Sequence, residues 1–179
     1  MPKDLKALLV IDALNDFMRP DGALYCGDAC RKIIPVIRSL IDRFAETDWP
    51  IIYVCDAHRE DDREFEMFAP HAVKDSWGAR IIEELSPPPG SHIVAKTRFS
   101  PFFRTNLEEI LDSLKPSEVW VTGVVTSICV MDAVADLRNR DYRTVVPVDA
   151  VADFDEAFHA FALKRMERVY GAQLLRGEN

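Results

Sequence analysis

Four apolar runs in this 179-residue chain lead to side chains able to do chemistry. Ala7–Ile11 ends at Asp12, Ile51–Cys55 at Asp56 and Ser91–Ala95 at Lys96. Val119–Thr122 ends at Gly123, with Cys129 soon after it. A carboxylate, an ammonium and a thiol gathered at one edge of a sheet can activate sulfur. The ammonium and a helix N-terminus both favour thiolate over thiol. The carboxylate can accept the thiol proton and later deliver it to a leaving amine. Cys129 follows a Gly-Val-Val-Thr-Ser turn whose backbone N–H groups could hold a developing oxyanion. A lone cysteine is more commonly a buried structural residue, and on spacing alone that reading stays open.

Such a constellation needs a scaffold that brings strand ends together. The apolar runs are short, continuous and rich in β-branched residues, as in strands buried on both faces. Helical patterns separate them. Pro35 suits a first helical turn, with Ile37, Leu40, Ile41 and Phe44 on one face. Thr105 and Glu108 have the spacing of a capping box ahead of Leu107, Ile110, Leu111 and Leu114. Val130, Ala133, Val134 and Leu137 are helically spaced behind Cys129. Thr144–Val148 reads as a strand, Glu156–Tyr170 as a long helix, and Leu174–Leu175 as a short final strand. This alternation predicts an α/β fold with one open parallel sheet, helices on both faces and right-handed crossovers. The stretch Pro87–Gly90 reads as a turn, so residues 1–179 are expected to form one domain. Sites in such sheets form outside the carboxyl ends of the strands.

Composition narrows the class. Hydrophobic residues make up 48% of the chain, so disorder is not expected. The net charge of -8 repels phosphate backbones and argues against nucleic acid as a partner. No apolar run approaches the ~20 residues needed to span a bilayer, and the expectation is a cytoplasmic protein without a membrane partner. Cys26, Cys30, Cys55 and Cys129 show no paired CxxC spacing. Cys26 and Cys30 read as ordinary thiols near a loop.

Three stretches together carry a resemblance. Val10–Phe17 (VIDALNDF), Lys96–Phe102 (KTRFSPF) and Gly123–Val130 (GVVTSICV) resemble, in order, the signature blocks of the isochorismatase-like cysteine hydrolases. The resemblance implies a six-stranded parallel sheet and an Asp–Lys–Cys triad. By motif, Asp12 is the acid/base, Lys96 the cationic partner and Cys129 the nucleophile. It also implies a non-proline cis peptide at Val124–Val125, which turns backbone N–H groups toward the oxyanion.

A further stretch, Asp56-Ala57-His58, then Glu64, then Phe68-Ala69-Pro70-His71, resembles the metal-binding segment of the nicotinamidase branch. Asp56 and His58 share a face of an extended chain. Two imidazoles with carboxylates suit a divalent metal, zinc first, with iron or manganese as alternatives. Asp61 and Asp62 lie close to Glu64 and offer further carboxylates. A solvated acidic loop is the plainer alternative. Phe17 and Phe68 resemble the branch's ring-contacting positions, although either could be core. Ala72, Asp75 and the pair Asp132–Ala133 depart from the branch pattern, which bears on substrate identity. His92 and His159 fall outside every motif. The resemblance therefore implies hydrolysis of a small-molecule amide, nicotinamide to nicotinate and ammonia through a cysteine thioester. Its alternatives are a metal-free carboxamide or ureido hydrolase, and a binding protein that has lost catalysis. Both a monomer and a homo-oligomer are compatible with the sequence.

Overall fold

The computed structural model describes residues 4–177. In chain order the elements are β1 (Lys6–Ile11), α1 (Asn15–Met18), α2 (Asp28–Lys32), α3 (Ile34–Glu46), β2 (Ile51–Asp56), β3 (His92–Lys96) and α4 (Leu107–Leu114). There follow β4 (Glu118–Val124), α5 (Met131–Asn139), β5 (Thr144–Pro147), β6 (Val151–Ala152), α6 (Glu156–Arg168) and β7 (Gln173–Leu175). The long, irregular connection between β2 and β3 holds two 3₁₀ turns, Arg63–Glu66 and Glu83–Leu85.

The sheet is parallel throughout, in the order β3-β2-β1-β4-β5-β7. These are the six expected strands, and the two-residue β6 adds to them by pairing beside the end of β4. From β1 the chain lays strands outward in one direction through β3, then returns to start the other half at β4. The β1–β4 boundary is therefore the point where strand order reverses, and a crevice opens there at the carboxyl ends. Gly123 serves this junction. Its φ is +111°, and a Cβ built on it would lie 2.0 Å from the Ile11 carbonyl oxygen, so β1 and β4 can approach this closely only without a side chain.

Helices cover both faces, as continuous apolar strands demand. On one side α3 starts with Pro35 in its first turn and buries Ile37, Leu40, Ile41 and Phe44. Phe44 meets Trp49 and Trp120 edge-on at 5.2 and 5.8 Å. Truncating such a ring to alanine costs about 3–5 kcal/mol. The opposite side packs Leu111 of α4, Val134 and Leu137 of α5 and Met166 of α6 against the sheet.

The expected capping box does not form. Asn106 occupies the N-cap of α4, and Thr105 Oγ1 instead donates to the Pro101 carbonyl and accepts from the Leu107 N–H. The loop ahead of the helix offers the hydroxyl a backbone partner that competes with the cap. The short α1 and α2 have no counterpart in the sequence reading, because four or five residues are too few to show periodicity. Among the described residues no helix is long and apolar enough to cross a membrane.

Candidate active site

The four strand-end residues converge. Parallel pairing sets Asp56 beside Lys96 in register, and Ile11, the residue before Asp12, pairs with Val54 and Gly123. Asp12 leaves the strand with φ +50°, a left-handed conformation that Asp tolerates better than most residues. That turn places its Oδ1 on the Asp56 N–H at 2.9 Å. Lys96 Nζ then lies 2.5 Å from Asp56 Oδ1, 2.9 Å from Asp12 Oδ2 and 3.5 Å from Cys129 Sγ. The Lys96–Asp12 contact is a close, fully buried ion pair. All four side chains are buried, Lys96 being 1% exposed.

Cys129 lies in a π-helical turn, Thr126–Val130, that runs directly into α5. The Val125 carbonyl accepts from the N–H of Ile128 (3.1 Å) and of Val130 (3.2 Å), so the widened turn passes over the amide of Cys129 between them. The Val124–Val125 peptide at its entrance is cis.

Burial and neighbouring charges compete at each of the four groups. Burial, with Asp56 adding to it, pushes the Asp12 carboxyl up to about 6 while Lys96 restrains the rise. Burial opposes the charge of Lys96, but Asp12, Asp56 and Cys129 outweigh it and the amine stays protonated. Asp56 is also opposed by burial, yet Lys96 and His58 hold it below the usual carboxylate range. The expectation of a resting thiolate is corrected here. Burial raises the Cys129 thiol well above its ordinary value, Asp12 and Asp56 add to the rise, and Lys96 only partly offsets it. A buried thiol beside a carboxylate poised near neutrality is suited to losing its proton as it attacks, not beforehand.

A second cluster adjoins the first. One ligand atom each from Asp56, His58 and His71 lie within 4.8 Å of one another. Glu64 Oε1 lies beside them, 3.9 Å from His58 Nε2 and 3.8 Å from His71 Nε2. Each imidazole is oriented from behind: His58 Nδ1 by Asp62 Oδ2 at 3.2 Å, and His71 Nδ1 by the Ala69 carbonyl at 2.7 Å. Donation through Nδ1 leaves Nε2 as the lone-pair side. Burial holds His71 below the ordinary histidine value, which keeps that lone pair available. His58 Nε2 and Glu64 Oε2 are buried without a hydrogen-bond partner. Orphaned inward-facing donor atoms of this chemistry fit a divalent cation, and zinc matches the nitrogen and carboxylate set.

Both clusters open into one cavity of about 380 Å³. Asp12, Asp56, Glu64, His71 and Cys129 supply its polar wall, and its other walls are largely apolar. Phe17 and Phe68 both line it, as their motif positions implied, although Phe17 also belongs to the core. Residues that sequence reasoning missed complete the enclosure: Leu24, Tyr25, Phe99, Ile128 and Phe154. Only their place in the fold reveals them, since they come from four separate loops and turns. Cys26, read as an ordinary loop thiol, is buried in the same wall. His159 contacts Thr126 in the turn that carries Cys129, whereas His92 lies in β3 and takes no part in the cavity.

The isochorismatase domain family matches residues 6–178. A Bacillus subtilis protein described as an uncharacterized isochorismatase family protein, PncA, is 35% identical over 94% of this chain and 98% of its own. The crystal structure of nicotinamidase/pyrazinamidase PncA from Bacillus subtilis superposes with a TM-score of 0.90 at 33% identity, covering 95% of this chain and 98% of that one. The pyrazinamidase of Pyrococcus horikoshii in complex with zinc also gives 0.90, at 27% identity over 96% and 99%. With its strand order, its strand-end cluster and a match spanning nearly every residue, the chain belongs to the isochorismatase family of hydrolases.

Proposed function

We propose that this protein is a metal-containing amidase that hydrolyses nicotinamide to nicotinate and ammonia through a thioester on Cys129. One observation carries the reading: Asp12 and Cys129, with Lys96 buried behind them, and Asp56 and His71, with His58 buried behind them, face the same largely apolar, aromatic cavity. A flat ring with a carboxamide on one side and a ring nitrogen on the other matches that cavity.

The steps follow from the positions of the side chains. Cys129 Sγ forms a bond to the carboxamide carbon as its proton passes to Asp12, and the carbonyl oxygen becomes an oxyanion. Backbone N–H groups of Val125 and Cys129 stabilise it. Lys96 fixes Asp12 and lowers the cost of negative charge on sulfur. Asp12 then gives its proton to the amine nitrogen, the C–N bond breaks and ammonia leaves a thioester. Water attacks the thioester while Asp12 takes its proton, the C–S bond breaks, and the proton returns to Cys129. Asp56, His58 and His71, with Glu64 beside them, would hold the divalent ion. When bound, that ion supplies a Lewis-acidic grip on the ring nitrogen. Phe17 and Phe68 confine the ring between apolar faces.

Ammonia release from nicotinamide by the metal-loaded protein, with the thioester trapped by rapid acid quench and located by mass spectrometry, tests the reading. Cys129→Ala should show neither ammonia nor adduct while keeping the wild-type fold. Turnover by the alanine variant, or an adduct on another residue, would overturn it.

A further inference from the structure

The nucleophile turn is held from outside the triad. The strand β6 pairs beside the end of β4, with Gly123 opposite Val151 and Val124 opposite Ala152. The next residue, Asp153, therefore emerges level with the start of the turn that carries Cys129. Asp153 is only 6% exposed, and its carboxylate bridges two backbone groups. Oδ2 accepts the Ser127 N–H at 2.8 Å, and Oδ1 accepts the Asp155 N–H at 3.1 Å. Asp155 in turn caps α6 through the Phe158 N–H at 2.9 Å. From the same end of α6, His159 places Nδ1 2.9 Å from the buried Thr126 Oγ1.

Given Cys129 as the nucleophile, we propose that Asp153 is a positioning residue for it. By taking the Ser127 N–H, the carboxylate sets the rotation of the π-helical turn about its axis, and so the direction in which Cys129 Sγ and the neighbouring backbone amides face the cavity. Among the described residues Asp153 is the side chain that accepts a backbone N–H of this turn, whereas His159 holds the turn only through the Thr126 hydroxyl. The role needs an acceptor at one place and does not need the charge. Asp153 touches no reacting atom, and its neighbour Phe154 is the residue of this segment that lines the cavity.

Three variants test this, read by kcat and KM on nicotinamide and, independently of turnover, by the rate of Cys129 alkylation with iodoacetamide. Asp153→Ala should lower kcat by ~10- to 100-fold, the loss expected for a misplaced reacting group, with KM within ~3-fold of wild type. Alkylation of Cys129 should slow in the same variant. Asp153→Asn keeps an acceptor oxygen for the Ser127 N–H while losing the bond from the Asp155 N–H, and should recover most of the kcat lost in the alanine variant, whereas Asp153→Glu keeps the charge, misplaces the oxygen and should stay impaired. If the alanine variant does not fold, the contrast between Asn and Glu decides. Equal loss in Asn and Glu, full activity in Glu, or a change confined to KM would overturn the proposal. A wild type that releases no ammonia from nicotinamide would count against the proposed reaction instead, and the alkylation rates would still judge Asp153.

Discussion

Replacing Lys96 by methionine removes one buried positive charge and keeps most of the side chain's volume. In the native site the ammonium faces Asp56 at 2.5 Å and Asp12 at 2.9 Å, and all three groups are buried. Removing one partner from a buried ion cluster strands the others, at a cost of about 3–5 kcal/mol. For a chain of this size each kcal/mol moves the unfolding midpoint by about 2–4 °C, so Lys96→Met should lower Tm by roughly 6–20 °C near pH 8. The pH dependence has a definite sign. Lys96 restrains the rise of Asp12 and holds Asp56 low, so without it both folded-state values move up, above those of the unfolded chain. A carboxyl raised in the folded state binds more protons there, and its destabilisation shrinks as pH falls through the folded value. The deficit should therefore narrow from pH 8 toward pH 5. Thermal unfolding followed by circular dichroism, on chelator-treated wild type and variant at both pH values, reads it. A Tm within about 2 °C of wild type at pH 8, or a deficit that widens on acidification, would refute the electrostatic account of the cluster.

Two further predictions concern Asp12 and the imidazole cluster. Because burial raises Asp12 above the usual carboxylate range, kcat/KM of the metal-saturated enzyme should fall about tenfold per pH unit on the acid side of that titration and level off above it, since only the carboxylate can take the Cys129 proton. A profile flat across that region would remove Asp12 from the role of base. Asp62→Ala deletes the acceptor that orients His58, and zinc affinity measured by competition with a chromophoric chelator should weaken by about 10- to 100-fold; unchanged affinity would mean His58 needs no such support.

The strands were legible because parallel strands buried on both faces leave continuous apolar runs, and residues that end such runs must lie along one edge. Asp12, Asp56 and Lys96 were visible on that ground, and Cys129 by its turn. The ionisation of the site was less legible. Helix start and lysine point to a thiolate, while the degree of burial, a property of the finished packing, raises the thiol instead. The second wall of the cavity escaped for a related reason. Leu24, Tyr25, Phe99 and Phe154 sit in irregular segments where no periodicity marks a side chain as facing inward. Asp153 was invisible because its partner, the Ser127 N–H, is 26 residues away and reaches it only through the pairing of β6 with β4.

The most direct measurement compares nicotinamide with benzamide, which has the same shape and carboxamide and lacks only the ring nitrogen. If the cluster at Asp56, His58 and His71 reads that nitrogen, benzamide should lose roughly 2–4 kcal/mol of transition-state stabilisation, about 30- to 1,000-fold in kcat/KM. Chelator treatment should erase most of the preference by lowering the nicotinamide rate. Equal kcat/KM for the two amides in the metal-loaded wild type would contradict the account.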